Sequence, residues 1–214
     1  KSSHKSWYRL VIGLLMLAAL IGTLLFVPPP AFKEGAVPAH VIALQEAMQT
    51  LGAGDKVLVV LDYQPATSRE MVSMAAPVLQ FIAERGVSWQ LLVTQPSGLW
   101  LAQELASTAG ITPIPEAVYL PGGNLGVFAL AIDQNQSSPL LPSGLSALND
   151  YRAILLLEDS GSQFQVWMEQ AAPWLGNGRF LALVATQDAA MVLPYYHSGQ
   201  VSGYAAGTQE GALM

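Results

Sequence analysis

The chain has 214 residues and no cysteine, which excludes disulfides, iron–sulfur clusters, cysteine-ligated zinc and thiol nucleophiles. Only 11% of its residues are charged and 52% are hydrophobic, a lower share of charge than soluble domains usually carry. Residues 1–33 contain four Lys or Arg and no acid, whereas residues 34–214 contain five Lys or Arg against fifteen Asp or Glu, a balance of −10. Because so acidic a domain repels phosphates, we expect no nucleic-acid partner.

Residues 10–27 form an almost continuous apolar run, and no charged residue lies between Arg9 and Lys33. Eighteen helical residues span about 27 Å, close to the roughly 30 Å hydrocarbon core of a bilayer. We therefore predict a single-pass transmembrane helix with the lipid bilayer as its partner. A cleaved signal peptide is the alternative, although its apolar core is usually shorter, about 7–15 residues. Because the basic residues precede the run, residues 1–9 are predicted to be cytoplasmic and the rest periplasmic or extracellular.

Residues 28–55 are predicted to connect this helix to the rest of the chain. Pro28–Pro30 favours a stiff, extended connector. An amphipathic helix then opens near Pro38 and ends at Gly52, because apolar residues recur at spacings of three and four. These apolar residues are Val41, Leu44, Met48 and Leu51.

Residues 56–214 alternate apolar strands with helical patterns. The predicted strands are 56–63, 88–94, 116–120, 151–159 and 179–186, and the predicted helices are 67–86, 97–110, 125–132, a stretch after Ser160, and 188–195. Residues 134–149 are rich in turn formers and are predicted to form a surface excursion. Five β–α units with short loops predict an α/β domain, Rossmann-like or flavodoxin-like, with three layers and a mostly parallel sheet. The order of its strands does not follow from the sequence.

Side-chain patterns at the helices add two further predictions. Thr67 with Glu70, and Ser160 with Gln163, have the spacing of capping pairs at helix starts. Trp100 and Trp174 lie off the apolar stripes of their helices. We expect one of these two rings to face a partner or lipid headgroups.

Acidic residues lie at or just after the carboxyl ends of several predicted strands. In open α/β sheets, ligands bind beyond the carboxyl ends of the strands, and these ends carry Asp62, Glu158, Asp159 and Asp188. Such oxygen clusters suit Mg²⁺ or Ca²⁺. Each acid would equally stabilise the N-terminus of a helix without any ligand, and this second interpretation is favoured. The sequence therefore predicts no metal and no cofactor, and it assigns these acids only to a possible ligand crevice.

The stretch Pro-Gly-Gly-Asn at 121–124 joins a predicted strand to a predicted helix. Gly122, Gly123 and Asn124 would present backbone N–H groups to an anion, or the glycines would only permit a tight turn. The structural role is favoured, because neither a Walker loop nor a dinucleotide fingerprint is present. There is also no G-x-S-x-G elbow, and the three histidines are scattered. We therefore expect no catalytic residues and no enzymatic activity.

Three segments occur in order along the chain: "YLPGG" (119–123), "AILLLED" (153–159) and "LPYYHSGQVSGYAAG" (193–207). Together they resemble a family of uncharacterised, membrane-anchored prokaryotic proteins that share a Y-x-P-G-G turn and a P-Y-x-x-S-G-Q segment. The resemblance implies an anchored α/β domain and brings no established activity. The residues themselves predict a helix that ends at Gly199. Tyr195 and Gln200 would either line a cleft or pack this helix onto the sheet, and packing is favoured.

These observations favour one function and leave an alternative. We expect a non-catalytic accessory or scaffold subunit of a multi-subunit membrane complex, with its α/β domain docked on the outer face against other subunits. The low charge, the many tryptophans and the missing catalytic motifs support this expectation. The alternative is an extracytoplasmic domain that binds or hydrolyses a small ligand in the crevice at the strand ends.

Overall fold

The computed structural model describes residues 3–26, 37–113, 116–133 and 141–214. The chain divides into two compact units, Lys1–Ala36 and Val37–Met214. The first unit contains helix α1, Ser3–Phe26. None of the helices in the described ranges is long and apolar enough to cross a membrane, so the anchor stays a prediction. The Pro28–Pro30 connector and residues 134–140 of the predicted excursion lie outside the described residues.

The second unit is an α/β domain with six strands and seven helices among its described residues. The strands are β1 Lys56–Asp62, β2 Ser88–Val93, β3 Ala117–Tyr119, β4 Ala153–Glu158, β5 Arg179–Val184 and β6 Gly203–Ala206. The helices are α2 Ala39–Gln49, α3 Ser68–Glu84, α4 Gly98–Thr108, α5 Asn124–Ile132, α6 Gly161–Val166, α7 Ala189–His197 and α8 Gly207–Gly211. A π-helical segment, Trp167–Ala171, continues α6.

All six strands are parallel and their order in the sheet is β3-β2-β1-β4-β5-β6. The predicted parallel α/β architecture is confirmed, and the order is that of Rossmann-like sheets, which reverses between β1 and β4. The prediction of five strands was one short. β6 consists of Gly-Tyr-Ala-Ala, which lacks the run of large apolar residues that marks the other strands.

Two apolar cores lie on opposite faces of the sheet, because successive strand side chains point to opposite sides. In β1, Val57 and Val59 join one core while Leu58 and Val60 join the other. The first core also includes buried residues of α2, α3 and α4. The second includes residues of α5, α6, the π-helical segment and α7. The domain therefore has the three layers that the β–α alternation predicts.

Helix α2 packs directly across β6. A β-carbon on Gly203 would lie 2.2 Å from the backbone nitrogen of Leu44, so only glycine allows this approach. The His40 ring stacks on Tyr204 with a centroid distance of 4.2 Å, and its Nε2 lies 2.9 Å from a carboxylate oxygen of Glu210. The predicted amphipathic helix is thus an integral part of the compact domain.

Neither predicted capping pair forms. Among the described residues, α3 and α6 have no side-chain hydrogen bond at their N-caps. Glu70 instead accepts hydrogen bonds from the backbone N–H and hydroxyl of Thr186, at 3.0 and 2.7 Å. The Ser160 hydroxyl lies 3.0 Å from that of Ser162. The capping predictions are wrong because Glu70 and Ser160 bond to other residues. The partner of Glu70, Thr186, lies 116 positions away in the sequence.

Candidate functional site

A row of three polar side chains crosses the carboxyl ends of β2, β1 and β4. Asp62 lies opposite Glu158 in the pairing of β1 with β4. Leu61 lies opposite Val93 in the pairing of β1 with β2, which places Thr94 beside Asp62. The row spans the point where the strand order reverses, and ligands of doubly wound sheets bind there. We refer to this place as the switch-point crevice.

Asp62 is buried, and both of its carboxylate oxygens accept hydrogen bonds. The Thr94 hydroxyl donates to Oδ1, and the indole N–H of Trp167 donates to Oδ2 at 2.9 Å. Trp167 is fully buried in the second core. Asp62 Oδ2 is therefore paired with a residue of the domain's own core.

Glu158 is completely buried beside Asp62. Its Oε1 accepts hydrogen bonds from the backbone N–H groups of Asp159 and Ser160, at 3.0 and 2.9 Å. Its Oε2 is buried and has no hydrogen-bond partner within the described residues. Burial, with a further contribution from the charge of Asp62, raises the pKa of Glu158 to about 10. Glu158 is therefore a neutral acid at pH 7, because its ionised form would be buried next to another carboxylate.

Asp159 forms hydrogen bonds that connect the two loops at the switch-point crevice. Its Oδ2 accepts hydrogen bonds from the backbone N–H of Gln64 at 3.0 Å and from the Thr67 hydroxyl at 2.5 Å. Both donors belong to the loop between β1 and α3, whereas Asp159 follows β4. In addition, the Gln187 amide donates to the Asp159 carbonyl at 3.4 Å. These bonds hold the loop after β1 and the loop after β5 to the loop after β4.

Asp188 bonds to a different part of the domain from Asp62 and Glu158. Its Oδ1 accepts a hydrogen bond from the backbone N–H of Gly161 at 3.0 Å, at the start of α6. Its Oδ2 is buried and makes no hydrogen bond to the described part of the chain. The four predicted acids thus divide into one buried pair and two residues that bind loop backbone. No group of three or more His, Cys, Asp or Glu that could hold a metal occurs in the described ranges.

Tyr63 lies on the face of the sheet opposite to Trp167, in the first core. Its ring is buried, and its hydroxyl has no hydrogen-bond partner among the residues that the structure describes. Burial, followed by the charges of Glu104 and Asp159, raises the pKa of this hydroxyl. It therefore stays protonated throughout the physiological pH range.

The glycine turn at the start of α5 has the predicted backbone conformation. Gly122 and Gly123 both have positive φ, 95° and 53°. The N–H groups of Leu125 and Val127 donate to the carbonyls of Gly122 and Gly123, each at 3.1 Å. Asn124 is the first residue of α5. These two bonds do not involve the N–H groups of Gly122, Gly123 or Asn124, so the choice between an anion site and a structural turn stays a prediction.

Tyr195 and Gln200 lie near the end of α7. The Tyr195 ring packs edge-on against Phe164 at a centroid distance of 5.6 Å and contacts the second core. Gln200 is exposed, and its side-chain oxygen accepts a hydrogen bond from the Ser198 hydroxyl at 2.9 Å. Helix α7 begins after the carboxyl end of β5 and runs back along the sheet. Tyr195 and Gln200 near its end therefore lie toward the amino ends of the strands, whereas Asp62 lies at a carboxyl end. The Tyr195 contact agrees with the packing role, whereas the exposed Gln200 side chain bonds within its own turn.

Two surface hollows lie away from these residues. One, of about 170 Å³, lies between α2 and α3 and is lined in part by Met48, Phe81 and Met214. The other, of about 460 Å³, lies at the amino edge of the sheet beside Lys56 and Arg152. No predicted site residue lines either hollow.

Two residues of the switch-point crevice were missing from the predicted set. Thr94 ends the predicted strand 88–94 and Trp167 lies in the predicted helical stretch after Ser160, but no sequence pattern assigns either residue to the site. The register that brings Thr94 beside Asp62 requires β2 to be the neighbour of β1. The Trp167 bond spans 105 positions in the sequence. No local pattern indicates either contact.

We expect Gly122→Ala to lower the free energy of unfolding by about 1 kcal/mol or more, since a β-carbon is disfavoured at this φ. The added carbon would also lie 3.2 Å from the backbone nitrogen of Gly126. Gly52→Ala is the matched control, because its β-carbon would meet no described atom within 4 Å. Chemical denaturation measures both variants. Titration with nucleotides and inorganic phosphate should show no saturable binding. Tight binding that Gly122→Ala abolishes in a folded domain would contradict the structural role.

Comparison with known proteins adds no family assignment. No model of a known protein family matches the chain, and no curated protein matches it. The resemblance to membrane-anchored prokaryotic proteins therefore stays a prediction.

Proposed function

We propose that this protein is a non-catalytic accessory or scaffold subunit of a multi-subunit membrane complex. The observation that carries the proposal is the bonding of Asp62 and Asp159 within the domain. Trp167 and Thr94 donate hydrogen bonds to the two oxygens of Asp62, and Asp159 joins the loop after β1 to the loop after β4. These two acids therefore hold the domain together at the place where a Rossmann-like domain would bind a ligand.

The proposed anchor rests on the sequence. Residues 10–27 are apolar, and the basic residues Lys1, Lys5 and Arg9 precede them. Helix α1 includes most of this run. Several of its large apolar side chains are exposed, from Ile12 to Ile21. A helix with such side chains around it needs an apolar environment, and a bilayer would supply one.

Exposed aromatic side chains of the domain support docking on other subunits. Trp100 is 56% exposed and Trp174 is 45% exposed. Tryptophan is enriched in protein interfaces and is uncommon on surfaces that stay in water.

The proposed topology predicts that protease added to right-side-out spheroplasts digests the domain of the full chain. The reason is that residues 1–9 hold the positive charge that stays on the cytoplasmic side. Immunoblotting with a C-terminal tag measures the loss, and a cytoplasmic marker protein controls for leakage. Protection of the domain until the membrane is permeabilised would contradict the topology.

Purification from native membranes then tests for stoichiometric partner subunits.

A ligand-binding or hydrolytic domain is the second candidate, and one observation favours it. Glu158 Oε2, Asp188 Oδ2 and the Tyr63 hydroxyl are buried without hydrogen-bond partners in the described residues. Unsatisfied buried oxygens are costly and often mark sites where another molecule binds. This candidate expects a small molecule whose binding is lost in Asp62→Asn while the domain stays folded. The subunit proposal expects no such ligand.

A further inference from the structure

The hollow beside Lys56 and Arg152 lies at the amino ends of the strands, whereas the switch-point crevice lies at their carboxyl ends. Its volume of about 460 Å³ is within the roughly 300–1,000 Å³ of sites that hold small molecules. Its walls come from the segments that directly precede β1, β4 and β5, which are neighbours in the sheet. We refer to it as the amino-edge hollow.

The backbone around the amino-edge hollow is held in place by the domain itself. The Arg152 N–H donates to the Lys56 carbonyl at 2.7 Å, and the Arg179 N–H donates to the Arg152 carbonyl at 3.0 Å. Tyr151 is buried, and a β-carbon on Gly178 would lie 2.7 Å from its carbonyl oxygen. These contacts give the hollow fixed walls, as preformed ligand sites have.

Two cationic side chains line the amino-edge hollow. Within the described residues, neither Lys56 nor Arg152 forms an ion pair with a carboxylate. The Lys56 ammonium lies 3.4 Å from the Ser146 hydroxyl, and the Arg152 guanidinium makes no hydrogen bond to the described part of the chain. By contrast, Arg85 and Arg179 both donate to backbone carbonyls at the end of α2. Arg152 therefore keeps its planar fork of donors, which fits a carboxylate.

Two acids also line the amino-edge hollow, and they differ in their bonding. Asp55 Oδ2 accepts a hydrogen bond from the backbone N–H of Gly52 at 2.9 Å, which fixes this carboxylate in its own turn. The Asp150 side chain is exposed and makes no hydrogen bond to the residues that the structure describes. Two positive charges and one negative charge are thus available. A simple anion would leave Asp150 without a counter-charge.

We propose that the amino-edge hollow binds a small zwitterion with two carboxylates and one ammonium group, that is, an acidic α-amino acid. Arg152 and Lys56 bind the two carboxylates, and Asp150 binds the ammonium group. The side-chain amides of Asn149 and Asn177 also line the hollow and supply further donors. Hydrogen bonds between charged groups are roughly twice as strong as neutral ones. This site goes beyond the subunit role and does not depend on the anchor.

Isothermal titration calorimetry of the full chain, purified in detergent, with L-glutamate tests the site. L-Glutamine lacks the second carboxylate and glutarate lacks the ammonium group, so each should bind about tenfold more weakly than glutamate. Arg152→Gln and Asp150→Asn should each weaken glutamate binding by about tenfold or more. Arg69→Gln, at an exposed position near the start of α3, is the matched control and should bind glutamate like the wild type.

Three results would overturn the proposal. The first is the absence of saturable binding up to about 10 mM glutamate, a concentration that reveals even weak sites. The second is glutarate that binds as tightly as glutamate, because the ammonium group would then contribute nothing. The third is unchanged glutamate binding by Arg152→Gln, with urea denaturation to show that the variant is folded. None of these results bears on the subunit role, which the spheroplast experiment tests separately.

Discussion

Glu158→Gln is expected to remove a decline in stability that the wild-type protein shows as pH rises from 4.5 to about 10. In the unfolded chain Glu158 loses its proton near 4.5, whereas burial beside Asp62 keeps it protonated in the folded protein until about pH 10. Between these values the folded state binds one proton more than the unfolded state. Stability from this group is therefore fully present below pH 4.5 and is lost as pH rises toward 10.

The expected size of this effect is about 1.4 kcal/mol of unfolding free energy per pH unit within that window. A glutamine keeps the acceptor for the backbone N–H groups of Asp159 and Ser160 and has no proton to lose. Urea denaturation of wild type and variant at pH 5, 7 and 9 measures the difference in slope. Glu84→Gln, at an exposed position of α3, is the control. Parallel curves for wild type and Glu158→Gln would show that Glu158 is ionised in the folded state.

Trp167→Ala is expected to lower the free energy of unfolding by about 3–5 kcal/mol, as for other large core residues. The ring is fully buried, and its indole N–H donates to Asp62 at 2.9 Å. Trp167→Phe removes the N–H donor and the smaller part of the indole ring but keeps a phenyl ring in the core. It should cost about 1–3 kcal/mol, because a buried carboxylate oxygen loses its partner.

Urea denaturation measures both variants. Trp100→Phe, at a position that is 56% exposed, should leave stability within about 0.5 kcal/mol of wild type. A Trp167→Phe variant as stable as wild type would show that the bond to Asp62 contributes nothing to stability. The Asp62 carboxylate would then be available to a ligand.

The architecture of the domain could be predicted from local patterns. Strands such as Lys56–Asp62 and Ala153–Glu158 are apolar on both faces because helices cover both sides of the sheet. Amphipathic segments between them predicted the helices, and two adjacent glycines predicted the turn into α5. β6 was not predicted because its residues other than Tyr204 are glycine and alanine. Such small residues let α2 pack across the strand, but they are not a sequence signal for a strand.

The positions of the acids were determined by the sequence, since each lies at or just after the end of a strand. Their roles were decided by the tertiary structure. Asp62 and Glu158 become a pair because β4 lies beside β1, although 96 positions separate them in the chain. Asp159, one residue further, points to the loop after β1 and binds its backbone. Strand order determines which carboxylates share a low-dielectric space, and only that proximity decides which one stays protonated. The sequence shows which residues lie at the strand ends, whereas the distances between these residues are set when the strands pair into a sheet.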